Sequence, residues 1–278
     1  MRKNTFIIPI IRDDLIERCL DTIYKFTDPD SFYVYVIDQT KNGIDQKLLD
    51  RIHLYIRPYR NLGFSKSCNT AIKLVETEYF TLVNDDVEFI NTRWWQGIEE
   101  SFAKVNASTP NKPAVGVNAS SIRLPGWSVN LSKDFDIMPH KDEYTEEDYD
   151  FLLTQPHKIH DTFTIQPGTM IDGVTLFCTV FNKELFDRVG LLDEKFYPGG
   201  GEDYDWNSRA NLLGFRVVGT TLSWVWHHWG MSMSLVAKDN LGVIDEKLKW
   251  NSNNEKWGDN FDVWGAGKDI PPTNTTPL

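Results

Sequence analysis

TFIIPIIRDDLIERCLDTIYKFTDPDSFYVYVID, residues 5–38, changes its apolar period twice. Residues 5–11 are a nearly continuous apolar run, the pattern of a strand covered on both faces. From Asp13 the spacing turns helical. Ile16, Cys19, Leu20 and Ile23 fall on one face of a helix expected over 13–26, with Asp13 as its expected N-cap. Residues 32–37 return to a strand that stops at Asp38. Strand, helix, strand is the unit of a parallel sheet, because parallel neighbours need a crossover.

Outward from that unit the alternation continues. An amphipathic stretch (Ile44, Leu48, Leu49, Ile52) leads to a brief strand near 53–56, a helix over 64–76, and a buried strand over 79–83 that ends at Asn84-Asp85-Asp86. A helix over 92–105 and a strand over 113–117 follow. Open α/β sheets bind ligands beyond the carboxyl ends of their strands. Asp38 and Asp85-Asp86 are therefore expected to face one crevice. Residues 118–166 break the pattern. They are rich in Ser, Pro, Asp and Glu and read as a long excursion beside the sheet, carrying loops rather than core. Regularity returns with a strand over 173–182 and a helix over 183–189. A further helix places Trp206, Ala210 and Leu213 on one face, with Gly214 just past its end, and the strand FRVVG follows. Beyond residue 235 the chain is polar, with Trp250, Trp257 and Trp264 scattered through it, and its last residues are expected to be disordered.

At 278 residues the chain fits one large domain or two small ones, with core enough to need no staples. A net charge of −11 disfavours gripping nucleic-acid phosphates. Cys19, Cys68 and Cys178 form no CxxC pair, as expected of free thiols in a reducing, cytoplasmic location. The N-terminus has too short an apolar run for a signal peptide, and no segment approaches the ~20 apolar residues of a membrane span.

Three constellations could carry chemistry. Asn84-Asp85-Asp86 puts adjacent carboxylates at a strand end, where a divalent cation on a diphosphate would neutralise them. The plainer alternative is a turn. Gly199-Gly200-Gly201-Glu202-Asp203 joins a loop that can approach a ligand closely to acids at a helix start. The plainer alternative is capping, since the helix dipole welcomes acids there; yet a cap needs one acid, and Asp205 adds a third. Trp226-His227-His228-Trp229 offers two imidazoles that point opposite ways if extended, so one is expected to ligate a metal and the spacing leaves open which. Asn61-Leu62-Gly63 precedes a helix and could hold a phosphate.

Together these motifs resemble the family 2 glycosyltransferases of GT-A fold, from about residue 4 to residue 232. The resemblance implies a Rossmann-like, mostly parallel central sheet with a smaller acceptor-side sheet and an irregular insertion. It implies a domain over 1–234, with a nucleotide-sugar half over 1–117, an acceptor half over 118–234, and an extension over 235–278. IIPIIRDD resembles the family's first strand, which sets Pro9 on the donor side. Asp38 stands where the family places an acid that contacts the base. NLGFSKSCNTAIK resembles its Asn-x-Gly segment and brings Asn61, Gly63 and Lys66 near the nucleotide. LVNDDVEF resembles the DxD motif with Asn84 in place of its first Asp, so Asp86 is the implied metal ligand, Asp85 its support, and His227 or His228 a second ligand. The segment with GGGEDYD resembles the acceptor side, with Asp203 as general base of an inverting transfer and Glu202 beside it. It also resembles the β4-galactosyltransferases, without their preceding Trp. Mn²⁺ or Mg²⁺, a nucleotide-sugar donor (UDP-sugar first, dTDP- or GDP-sugar next) and a glycan or other hydroxyl acceptor are the implied partners. A sugar nucleotidyltransferase would want a glycine-rich loop after the first strand, which PIIRDDL lacks. A non-catalytic carbohydrate-binding module would leave the paired acids at the strand ends unexplained.

Overall fold

A computed structural model describes residues 2–124, 135–159, 163–173 and 175–229. The extension over 235–278, with its three tryptophans, lies outside the described residues. The elements, in chain order, begin with β1 (Asn4–Ile10), α1 (Ile16–Phe26), β2 (Phe32–Asp38), β3 (Leu54–Ile56), α2 (Phe64–Ile72), β4 (Tyr79–Val83), β5 (Val87–Phe89), α3 (Trp94–Ser108) and β6 (Ala114–Ser121). There follow β7 (Arg123–Leu124), β8 (Phe135–Asp136), α4 (Glu146–Leu153), β9 (His157–Ile159) and β10 (Phe163–Ile165). The chain then returns to the sheet through β11 (Met170–Asp172), β12 (Cys178–Asn182), α5 (Lys183–Val189), α6 (Glu202–Leu212) and β13 (Arg216–His227).

The central sheet runs β11-β13-β6-β12-β4-β1-β2-β3, and β5 pairs with the far end of β13. Strands β1, β2, β3, β4, β6 and β13 share one direction, while β5, β11 and β12 oppose it. The sheet is therefore mixed but mostly parallel, as expected. Its β1 shows how one strand serves two layers. Phe6, Ile8 and Ile10 pack with α1 and α3 on one face, and Ile7 packs with α2, α5 and α6 on the other. Because β2, β4 and β13 share a direction, Asp38, the 84–86 turn and His227 all lie at one edge.

Several boundaries differ from expectation, each for a local reason. Helix α1 begins at Ile16 with Leu15 at its cap and no side-chain cap, so Asp13 does not cap it. The neighbouring Asp14 is drawn away by Arg12, whose guanidinium bonds it through Nε and Nη2. The 173–182 run is not one strand: Met170–Asp172 pairs with β13, the chain turns at Leu176 and Phe177, and β12 begins at Cys178. Leu213, the residue after α6, is exposed at 55% and does not extend the buried face of Trp206 and Ala210. The 118–166 excursion also carries core. Met138, Tyr149 and Leu152 close over Ile90, Ile122, Trp224 and Trp226 in a third apolar cluster. Helix α4 starts with a full capping box between Thr145 and Asp148.

Candidate functional site

The acids that follow β4 sit in a turn closed by the Val87 N–H on the Asn84 carbonyl at 3.2 Å. The turn is anchored twice more. The Asn84 N–H bonds the Phe177 carbonyl at 2.9 Å, and the His228 N–H bonds the Asp86 carbonyl at 3.0 Å. The end of β13 is thus fastened to the acidic turn by its backbone, and His227 faces Asp86: Nε2 lies 3.0 Å from Oδ1. Both side chains are buried. The His227 ring stacks on Phe177 at 4.6 Å and leans on Trp229 at 4.3 Å. Burial pushes the Asp86 carboxyl up, but His227, with help from His228, more than offsets it and leaves the carboxyl below its ordinary range. Arg12 supplies further positive charge; Asp14 first, then Asp85 and Asp86, favour its charged form.

This pair suits a divalent cation. At 3.0 Å the imidazole nitrogen and the carboxylate oxygen now share a hydrogen bond, and both would be free to ligate an ion that replaced the shared proton. Nitrogen plus carboxylate oxygen is a donor set for Mn²⁺ or its neighbours, and Asp85, also buried, adds charge alongside.

His228 turns the other way. Its Nε2 lies 2.5 Å from Glu88 Oε1, and its Nδ1 accepts from Trp226 Nε1–H at 3.3 Å. That bond assigns the ring proton to Nε2. The structure therefore brings His227, not His228, to the Asp86 carboxylate. Glu88 also meets His140 Nε2 at 3.1 Å and Arg18 Nε at 2.7 Å. Glu88, His140 and Arg18 escaped the sequence reading. The alternation Asp86-x-Glu88 was a usable signal for Glu88; His140 had none.

Across the edge, Asp38 is fully buried, with Oδ1 accepting the Thr40 N–H at 2.8 Å and Oδ2 accepting the Tyr55 hydroxyl. A base reaching Asp38 would compete with those donors. Pro9 is half-buried beside Ile37 at the end of β1. Asn61 Oδ1 accepts the Gly63 N–H at 2.8 Å, and Lys66 lies 3.5 Å from Glu194. Gly63, at φ +75°, is where the two halves of the edge touch: a Cβ there would stand 2.8 Å from the Tyr197 ring and 2.9 Å from the Pro198 carbonyl. One residue on, the Phe64 N–H bonds that same carbonyl at 2.7 Å.

Beyond Pro198, Gly200 (φ +101°) and Gly201 (φ +97°) take conformations closed to most side chains and deliver the chain into α6. The three acids there divide their work. Asp205 is fully buried and holds Arg209 at 3.0 Å, and Arg209 in turn bonds the Val189 and Leu191 carbonyls. Glu202 is buried and accepts the Gly200 N–H, shaping the loop. Asp203 is half-buried, with Oδ1 accepting the Tyr204 N–H at 2.9 Å. Asp205 thus belongs to the packing, and Asp203 is the most solvent-accessible acid of the three.

A family model described as glycosyl transferase family 2 matches residues 5–189. No curated protein matches the chain. Among solved structures, GalNAc-T7, crystallised with UDP, GalNAc and Mn²⁺, is similar at TM-score 0.54 and 12% identity, over 81% of this chain and 43% of that one. The mannosyltransferase PcManGT from Pyrobaculum calidifontis, in complex with GDP-Man and Mn²⁺, is similar at TM-score 0.52 and 15% identity, over 82% and 57%. S. aureus TarS 1–349 is similar at TM-score 0.50 and 17% identity, over 94% and 75%. The chain spans about half the length of the first two. At these identities the likeness shows the fold.

Proposed function

The chain belongs to glycosyl transferase family 2 and has the GT-A fold, and on that premise we propose that it moves a sugar from a nucleotide-diphosphate sugar to an acceptor hydroxyl with inversion. The observation that carries this reading is the presence of two acidic features on the carboxyl-end edge of one sheet. The Asp86–His227 pair lies there, and the Gly199–Asp203 loop is joined to the Asn61–Phe64 turn through the Phe64–Pro198 bond. The first suits a diphosphate with its cation; the second suits an acceptor.

Asp86 and His227 hold the divalent ion, Mn²⁺ or Mg²⁺. When bound, that ion supplies charge neutralisation to the leaving diphosphate. Its presence in the complexes of two structural relatives supports this assignment, as their UDP and GDP-mannose support a nucleotide-sugar donor. Asn61, Gly63 and Lys66 border the donor, Pro9 and Asp38 frame its base, and Asn84 and Asp85 complete the turn. On the acceptor side the hydroxyl oxygen attacks the anomeric carbon, the bond from that carbon to the phosphate oxygen breaks, and the diphosphate departs with the electron pair. Asp203 takes the hydroxyl proton. Glu202 keeps the loop in shape through Gly200. Of the described residues, those within 1–117 are assigned to the donor half and those within 118–234 to the acceptor half, with His227 reaching back to the donor's cation. No helix among the described residues is long and apolar enough to cross a membrane.

The test is hydrolysis of UDP-, dTDP- and GDP-sugars with and without Mn²⁺. Metal-dependent release of nucleoside diphosphate from one of them supports the reading, and sugar binding without turnover would replace it with a binding module. Asp203→Asn should then lower transfer by about 10²- to 10⁴-fold, the usual worth of a general base, with donor affinity kept. Near-normal transfer by that variant would remove Asp203 from the role.

A further inference from the structure

Glu88 has no part in the reaction as proposed, yet it is buried and meets side chains from three separate parts of the chain. Oε1 takes His228 Nε2 at 2.5 Å and Arg18 Nε at 2.7 Å; Oε2 takes His140 Nε2 at 3.1 Å. Arg18 comes from α1, His140 from the stretch before α4, and His228 from the end of β13. Glu88 itself lies two residues past Asp86, in β5, which pairs with β13. Two adjacent residues of one segment are thereby fixed to two acids of another: His227 to Asp86 and His228 to Glu88.

We propose that Glu88 is a positioning residue: by holding the His228 imidazole it sets the segment that presents His227 to Asp86, and through His140 it fastens the insertion to the same turn. The geometry behind this is restrictive. The His228 N–H is committed to the Asp86 carbonyl and its ring to Glu88 and Trp226. Freed from Glu88, the His228 ring keeps only the longer Trp226 bond to fix its rotation, and its neighbour loses a fixed aim. Partners bonded directly to a ligand are typically worth 10- to 100-fold in metal affinity, and Glu88, which acts one residue away through His228, should fall at the low end of that range.

The same three side chains invite a competing account. One ligand atom from each of Glu88, His140 and His228 lies within 4.8 Å of the others, close enough for a second metal ion. Two features speak for the hydrogen-bonded account. Trp226 Nε1–H occupies His228 Nδ1, which puts the ring proton on the nitrogen an ion would need. The Arg18 guanidinium already lies against Glu88 and, at 3.2 Å, against His140. An ion would have to invert the tautomer and evict a cation.

The inference rests on the Asp86–His227 reading, and the test separates the two. Free Mn²⁺ is followed by its electron paramagnetic resonance signal during titration of the full chain with UDP present, alongside thermal unfolding. In Glu88→Gln the amide sets an N–H against a donor, and the apparent Kd for Mn²⁺ should rise about 10-fold. Glu88→Asp, which keeps both acceptor oxygens, should recover part of that loss. Val105→Ala, in α3 away from the turn, should lower Tm and leave the Mn²⁺ Kd alone. Wild-type Mn²⁺ affinity in Glu88→Gln would overturn the proposal while leaving the Asp86–His227 site standing. Two ions per wild-type chain, one of them lost in Glu88→Gln, would overturn it in favour of ligation. Failure of the wild-type chain to bind Mn²⁺ would remove the underlying reading, and the proposal with it.

Discussion

Keeping the Asp86 carboxylate charged while buried beside Asp85 requires a partner at short range, and His227 is the side chain that meets it. Removing either member should therefore act on the metal. His227→Ala and Asp86→Ala should each raise the Mn²⁺ concentration for half-maximal donor hydrolysis by at least about 10-fold, whereas an unchanged requirement would remove the pair from the metal site. At Gly63 the constraint is steric: φ is +75°, and an added Cβ would meet the Pro198 backbone. Gly63→Ala should lower stability by about 2 kcal/mol, read by urea unfolding, and weaken donor binding and acceptor use together, read by separate KM values. Part of this site was legible beforehand. Adjacent acids at a strand end, and acids after a glycine run, announce themselves because such charges are costly without a purpose. Which histidine served Asp86 was not legible, since strand alternation only says that the two differ. His140 was invisible because it reaches Glu88 across 52 residues of chain, a meeting made by tertiary closure.

Helix α3 lies so close to β13 that a Cβ on Gly97 would stand 2.0 Å from the Leu222 carbonyl oxygen. Leu222 falls where the β6–β13 register shifts, between Thr220 and Trp224, so the strand bulges toward the helix. Gly97→Ala has no flexible tip to push aside. It should cost about 3 kcal/mol, at the upper end of overpacking effects, and a urea midpoint equal to wild type would show that the helix can lift. The length of β13 explains what the sequence hid. Strands β1, β2 and β4 and helices α1, α2 and α3 were readable because each carries its own period. The short β5 and β11 were not, because they gain their partners from β13, whose length of 12 residues exceeded the apolar FRVVG core of the pattern. Helix α4 begins in an acidic stretch whose composition suits a solvated loop or a helix face alike, and Thr145-x-x-Asp148 is the capping signature that separates the two.

Across the whole molecule the insertion and the sheet share one apolar cluster, and His157 sits at that junction. It lies in β9, 5% exposed, with its ring edge-on to Trp224 at 5.7 Å. Its Nδ1 has no hydrogen-bond partner among the described residues. Burial pushes its pKa down from 6.5 to about 4, against a smaller opposing effect of the Ser121 backbone. The folded state thus keeps the ring neutral where the unfolded chain begins to protonate it. Between about pH 6.5 and pH 4 the unfolded chain binds the extra proton, so this contribution is full above 6.5 and is lost as the pH falls. The slope is about 1.4 kcal/mol per pH unit at most. The net charge of −11 pulls the other way over the same range, because protonation relieves self-repulsion. A single acid titration would therefore mix the two effects, and a variant separates them. His157→Gln retains a polar side chain but cannot titrate. The stability difference between wild type and His157→Gln, from urea unfolding at a series of pH values, should be level above pH 7. It should then shrink steadily from about pH 6.5 to pH 4.5. A difference independent of pH would mean that the ring reaches solvent. The acidic loss should appear first in hydrogen exchange of the insertion, because the charged ring would part β9 and α4 from β13 before it opened the sheet.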